Sequence, residues 1–178
     1  MTGYEIVTER LLLCPSVDQR DLDIYVSHLI ANKEEVYLQY GEPYSEELID
    51  VLDFHSSGVI YYSIFLKDTN TMVGYVGIYP CGDEKGLLEF YIFSEYRRMG
   101  YGKEAVLAMV TAFFEGNLTE NKGKIITVET LHDNMISRRF LESVGAKKVS
   151  TGWRIGHDEN GEDSLIGFCY YEIEVNNL

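Results

Sequence analysis

Residues 86–116 read GLLEFYIFSEYRRMGYGKEAVLAMVTAFFEG. Leu87 to Phe93 is a short apolar run rich in aromatic residues, bounded by Gly86 and Ser94, and this predicts a strand. From Lys103 to Phe114, Ala105, Val106, Met109, Val110 and Phe113 recur at the spacing of one helix face. Tyr96-Arg97-Arg98-Met99-Gly100-Tyr101-Gly102 stands between them. Glycine lets the main chain approach a ligand and takes dihedrals that other residues avoid. The first amides of a helix lie at the positive end of its dipole, which suits them to phosphate. The two arginines add charge and fork-shaped donors. A tight turn with solvated arginines would use the same letters, but the order strand, arginine pair, glycines, helix favours an anion site.

Working outward toward the C-terminus, Lys124 to Glu129 (KIITVE) is a β-branched run placed to lie parallel to the central strand, closing a right-handed crossover. Asn134-Met135-Ile136-Ser137-Arg138-Arg139-Phe140-Leu141-Glu142-Ser143-Val144-Gly145-Ala146 follows as a short helix. Lys147 to Ile155 and Leu165 to Val175 read as a closing antiparallel pair, with Asn160-Gly161 as the turn.

Toward the N-terminus, Met72 to Tyr79 and Ile60 to Lys67 are strands joined by a hairpin turn at Asp68-Thr69-Asn70-Thr71. Ser45 with Glu46 and Glu47 starts a helix carrying Leu48, Ile49, Val51, Leu52 and Phe54. Ser16 with Gln19 forms a capping-box pair, so another helix starts near Val17 and repeats through Leu22, Tyr25, Val26, Leu29 and Ile30. Ile6 to Cys14 reads as the first strand.

The chain has 178 residues, 46% apolar and 25% charged, the make-up of one ordinary globular domain over residues 1–178. A net charge of −14 argues against nucleic acid as a partner and favours either a cationic substrate or simple solubility. Cys14, Cys81 and Cys169 are far apart and odd in number, which fits a reducing, cytoplasmic setting rather than a disulfide framework. His28, His55, His132 and His157 are scattered, so no metal is expected. No apolar run approaches the ~18 residues of a membrane span, and no leader pattern opens the chain.

The stretch at 97–102 resembles the acetyl-CoA-binding motif of the GNAT acyltransferases, Gln/Arg-x-x-Gly-x-Gly/Ala, with Arg97, Gly100 and Gly102 at its three positions. A second resemblance covers Asn134, Ser137 and Gly145, with Ala146 where that family usually has Phe. Thr8-Glu9-Arg10-Leu11-Leu12-Leu13 and Ser137-Arg138-Arg139 are similar to the ribosomal-protein N-acetyltransferase (RimJ/RimL-like) branch. Glu42-Pro43-Tyr44 is similar to a segment of polyamine acetyltransferases.

The resemblance implies an α+β fold of α/β/α sandwich form. Its mixed sheet would be mostly antiparallel, with six to seven strands and a splayed central parallel pair. It also implies acetyl transfer from acetyl-CoA to an amine. Main-chain groups of Phe90, Tyr91 and Ile92 would hold the pantetheine arm. Arg97, Arg98, Met99, Gly100, Tyr101, Gly102 and Lys103 would hold the pyrophosphate, and Asn134 and Ser137 would complete the cofactor site. A free amine of pKa about 10.4 must lose a proton before it attacks. Glu89 is the only acid on the central strand and shares a face with Leu87, Tyr91 and Phe93, so it is the candidate base. Many relatives place their glutamate at the position of Leu87, two residues earlier. Relatives often protonate the leaving thiolate with a tyrosine, at a position that is Leu141 here, and Ser137 is the candidate substitute. The acceptor would be a small-molecule or peptide amine: a protein N-terminus, a polyamine, an amino sugar or an antibiotic. The acting unit would be a monomer or a homodimer, without nucleic acid or membrane. Tyr61, Tyr62, Tyr75, Tyr79 and Trp153 either pack the core or line the acceptor pocket.

Two other readings stand beside this one. The displaced glutamate and missing tyrosine also suit a non-catalytic acetyl-CoA-binding module. Gly100-x-Gly102-x-x-Ala105, with Glu129 ending the next strand, also matches a dinucleotide-binding oxidoreductase. Against the latter, six residues (94–99) separate Phe93 from Gly100, and the βα units are too few for a doubly wound sheet.

Overall fold

The computed structural model describes residues 4–16, 18–50, 59–82, 84–118, 122–158 and 160–175. In chain order the elements are β1 (Ile6–Val7), β2 (Leu11–Pro15), α1 (Gln19–Ala31), α2 (Lys33–Tyr40), α3 (Glu46–Asp50), β3 (Ile60–Leu66), β4 (Met72–Pro80), β5 (Lys85–Ile92), α4 (Tyr101–Glu115), β6 (Ile125–Leu131), α5 (Met135–Ser143), β7 (Lys147–His157) and β8 (Asp163–Glu174), with a 3-10 turn at Ser94–Tyr96. The strands form one sheet in the order β1-β2-β3-β4-β5-β6-β8-β7. Every pairing is antiparallel except β5 with β6.

Period-two alternation sorts the residues of β5 between two cores. Leu88 and Ile92, with Phe90 beside them, join Val106, Met109, Val110 and Phe113 of α4. Tyr91 and Phe93 join Leu22, Tyr25 and Leu29 of α1 and Val36 of α2. The sheet is thus covered on both faces, as the sandwich expectation requires.

Several local expectations are corrected. The sheet has eight described strands rather than six or seven, because Ile6 to Cys14 is not one strand. The chain turns at Thr8–Arg10, and the two-residue β1 folds back on β2. Helix α1 begins at Gln19 rather than near Val17. Asp18 caps it, its carboxylate accepting from Arg20 N at 3.3 Å. Ser16, the expected cap, is buried with its Oγ 2.7 Å from that of Ser63. Helix α2 was not foreseen. It presents little apolar periodicity and buries only Val36. Val51, Leu52, Phe54 and His55 lie outside the described residues.

The parallel pair matters most for the site. Its register runs only from Lys85↔Ile125 to Leu87↔Thr127, although β5 continues to Ile92 and β6 to Leu131. Beyond Leu87 the edge of β5 no longer has its strand partner.

Candidate active site

Hydrogen bonds at both ends of the β4–β5 pair identify which peptide groups of β5 face that opening. Cys81 N donates to Lys85 O at 2.7 Å, and Phe93 N donates to Val73 O at 2.9 Å. Odd-numbered residues of β5 therefore pair with β4, and even-numbered ones turn to the other edge. Phe90 and Ile92 carry their main-chain groups on the open edge. Tyr91 does not: its peptide groups face β4, and a Cβ on Gly74 would lie 2.0 Å from Tyr91 O. The expectation that Tyr91 holds the pantetheine arm through its main chain is corrected on this ground. Its side chain is committed as well, the hydroxyl donating to Glu35 Oε2. Carbonyls on the open edge already have partners, since Gln39 Nε2 donates to Phe90 O at 3.4 Å and Arg97 Nε to Ile92 O at 2.8 Å.

The chain then crosses from β5 to α4 in an unusual conformation. Arg98 has φ 61° and Gly100 φ 86°, both left-handed. Such alternation turns successive N–H groups toward one side. The first bond inside the helix is Glu104 N to Gly100 O at 3.1 Å. Among the described residues, none of the main-chain N–H groups of Arg98, Met99, Gly100, Tyr101, Gly102 and Lys103 donates to a protein acceptor. That leaves a row of donors at the positive end of α4, beside the open edge of β5. Gly102 permits close packing here, because a Cβ would sit 3.2 Å from Ile92 Cγ1 and 3.3 Å from Phe140 Cε2.

The arginine pair splits in role. Arg98 is exposed, and among the described residues its guanidinium has no protein partner. Arg97 fits the motif by position, yet its guanidinium turns away to Glu35, with Nη1 at 3.0 Å and Nη2 at 2.6 Å. The Arg97 guanidinium is therefore held in an ion pair with Glu35 here, and its part in the cofactor site stands as a proposal. Lys103 Nζ likewise donates to Ser143 O at 2.9 Å, which ties α4 to the end of α5.

Glu89 is half-buried on the α1/α2 face and accepts from the Tyr61 hydroxyl at 2.8 Å. Around it lie the hydroxyls of Tyr75 and Tyr40. Gln39 Nε2 reaches Tyr75 Oη at 3.3 Å, and Tyr25 and Tyr40 share a hydrogen bond. Burial pushes the phenols of Tyr25 and Tyr75 far up and that of Tyr40 to about 12, so all three stay protonated at neutral pH. Of the aromatic residues weighed for an acceptor pocket, Tyr62 and Tyr75 are core, and Tyr61 donates to Glu89. Trp153 is not core: it stands 64% exposed on β7 with its ring against His132.

Asn134 caps α5: its Oδ1 accepts from Ser137 N at 3.0 Å, and its Nδ2 donates to Leu38 O at 3.2 Å. Ser137 is half-buried on the first turn of α5. Leu141 is fully buried among the α4-side core residues, so an apolar side chain fills the place where relatives carry a tyrosine. Among the described residues no group of three or more His, Cys, Asp or Glu is placed to hold a metal, and no helix is long and apolar enough to cross a membrane.

A family model described as an acetyltransferase (GNAT) domain matches residues 10–147. The chain belongs to the GNAT acetyltransferase family. GNAT domains use acetyl-CoA, and the unpaired amides at 98–103 fit its diphosphate. A search of curated proteins finds no match. Many solved structures are similar. A GNAT-family acetyltransferase from Bacillus anthracis superposes with a TM-score of 0.71 at 20% identity, covering 96% of this chain and 98% of that one. The RimL ribosomal L7/L12 alpha-N-protein acetyltransferase gives 0.74 at 14%, covering 97% and 94%. The ribosomal-protein-S5-alanine acetyltransferase from Vibrio fischeri gives 0.70 at 14%, covering 97% of each. At these identities the likeness is one of fold. The GNAT sheet, with a single parallel pair, also removes the dinucleotide-oxidoreductase reading, since a doubly wound fold needs several. Glu129, offered there as a ribose ligand, is instead paired with Arg154 at 2.9 Å.

Proposed function

We propose that this GNAT protein is a single-domain enzyme that moves the acetyl group of acetyl-CoA to a primary amine by direct attack on the thioester. The observation that carries the reading is the row of unpaired amides at 98–103, set beside a strand edge whose parallel partner departs after Leu87. The amides and Arg98 hold the diphosphate. The N–H groups of Phe90 and Ile92 support the pantetheine arm and polarise the thioester carbonyl.

Glu89 takes a proton from the ammonium form of the acceptor, directly or through water, with Tyr61 fixing the carboxylate. The neutral amine nitrogen then forms the C–N bond as the C–S bond breaks, and the proton it must still lose to become an amide passes to Glu89, which has by then released the first to solvent. Ser137 supplies a proton to the departing sulfur and recovers one from solvent. Asn134 keeps α5 and α2 in place around the acceptor entrance.

The acceptor is proposed to be a small-molecule or peptide amine, which the net charge of −14 suits. Two of the similar structures are enzymes named for ribosomal proteins, so a peptide α-amine is the first acceptor to try. A cytoplasmic setting is proposed from the three free cysteines.

The test is thiol release from acetyl-CoA across a panel of peptide N-termini, polyamines and amino sugars. Amine-dependent release supports the enzyme. Tight CoA binding with no release for any amine would make the protein a binding module.

A further inference from the structure

Arg10 reaches the anion loop from 89 positions away in sequence, out of the turn between β1 and β2. Its Nη1 donates to Met99 O at 2.8 Å, and its Nε to Glu104 Oε2 at 2.7 Å. Its guanidinium lies over the ring of Tyr101, 4.8 Å from the centroid. With Nε and Nη1 so committed, the planar fork has one direction left for Nη2. That nitrogen lies 3.0 Å from where a Cβ on Gly100 would stand, and among the described residues it has no protein partner.

We infer that Arg10 completes the diphosphate site, with Nη1 setting the loop and Nη2 donating to a phosphate oxygen. The inference rests on the acetyl-CoA reading above. The surroundings of Glu104 support it. A carboxylate in the first turn of α4 would repel an anion bound at the helix start. Here its oxygens are consumed by Thr8 Oγ1 at 2.6 Å and by Arg10 N at 2.8 Å, besides Arg10 Nε. Arg10 thus offsets the charge of Glu104 and still leaves Nη2 as a donor beside Gly100. Its 44% exposed side chain leaves the outer nitrogen open to a ligand. The sequence shows none of this, because the 97–102 motif does not include the residue.

The experiment compares Arg10→Ala and Arg10→Lys with wild type, measuring affinity for CoA and turnover with acetyl-CoA and with S-acetylpantetheine, which lacks the diphosphate. Arg10→Ala is expected to weaken CoA by about tenfold or more, the scale of one charge-assisted bond. Arg10→Lys, which keeps the charge and loses the fork, should fall between. Turnover with S-acetylpantetheine should change by less than about twofold, since no phosphate contact is lost. Equal losses with both donors would reduce Arg10 to a structural brace and overturn the inference, as would unchanged CoA affinity in Arg10→Ala. A wild-type protein that fails to bind CoA would instead defeat the acetyl-CoA reading itself, before any variant is compared.

Discussion

Glu35 on α2 grips Arg97 at the exit of β5, Nη1 at 3.0 Å and Nη2 at 2.6 Å, and so turns the motif arginine away from the anion loop. Arg97 also donates to Ile92 O at 2.8 Å, and Tyr91 donates to the same carboxylate. Arg97→Lys and Glu35→Gln should each cost about 1 kcal/mol, because charge-assisted bonds are lost at a partly exposed site. The double variant should cost little more than either alone, as expected for a shared contact. Urea unfolding of the four proteins measures this. Arg97→Lys with intact stability and a large loss of CoA affinity would return the side chain to the phosphate.

Acid should loosen the same contacts. Burial pushes the carboxyl of Glu35 up, but bonds from Tyr91 and Arg97 outweigh it, and the result lies below the usual 4.5. Glu104 follows the same pattern, with Thr8 and Arg10 outweighing burial. For carboxyls depressed in the folded state, the unfolded chain binds protons first as pH falls. Stability is then complete above about pH 4.5 and is lost below it. Thermal unfolding between neutral pH and about pH 3 should show that fall. Glu104→Gln should start lower at neutral pH and fall less steeply.

Glu89 is predicted to govern turnover rather than binding. Glu89→Gln should lower kcat by ~10²- to 10⁴-fold, the range of general base catalysis, with the CoA dissociation constant nearly unchanged. Tyr61→Phe removes the 2.8 Å bond to Glu89 and should cost less than the base itself. Steady-state kinetics beside calorimetric CoA binding separates the two effects. A Glu89→Gln enzyme turning over like wild type would remove the residue from the mechanism.

Ser137 and Leu141 should answer differently. Ser137→Ala leaves the N–H that bonds Asn134 Oδ1 and so should keep the fold while slowing turnover. Leu141→Tyr restores the side chain common in relatives but places it in a filled core, at a cost of about 1–3 kcal/mol. It should not rescue Ser137→Ala. Rescue would mean that the core opens toward the thioester.

Alanine at the two motif glycines should have different effects. Gly100 has φ 86°, so Gly100→Ala brings backbone strain of about 1–3 kcal/mol and crowds Arg10 Nη2. Gly102 lies inside α4, where alanine gains about 1 kcal/mol of helix propensity while its methyl presses on Ile92 and Phe140. Gly102→Ala places the motif's alternative residue there and should keep CoA affinity near wild type with little change in melting temperature, whereas Gly100→Ala should lose both.

Much of the fold was legible because it is local. Two glycines one residue apart, an apolar run before them and a 3.6-residue pattern after them are neighbours in sequence, and they place the strand, the loop and α4 within a residue or two of where they lie. Period-two alternation put Glu89, Tyr91 and Phe93 on one face for the same reason. Local signals failed where a tertiary contact outbid them. Ser16 carries a cap's chemistry, yet it is buried against Ser63, and Asp18 takes the helix end. Helix α2 has no apolar stripe to announce it, being held by Val36 and by the bond between Glu35 and Arg97.

By itself, then, the sequence determined the central strand, the loop that follows it, α4 and the face on which the candidate base stands, because propensity, periodicity and backbone freedom act over a few residues. Only the tertiary structure decided which arginine packs against that loop. Arg97 is taken up by Glu35, 62 positions away, and Arg10 arrives from 89 positions away to face Gly100. Long-range pairing depends on where the sheet brings distant side chains together, and no short pattern of letters encodes that meeting.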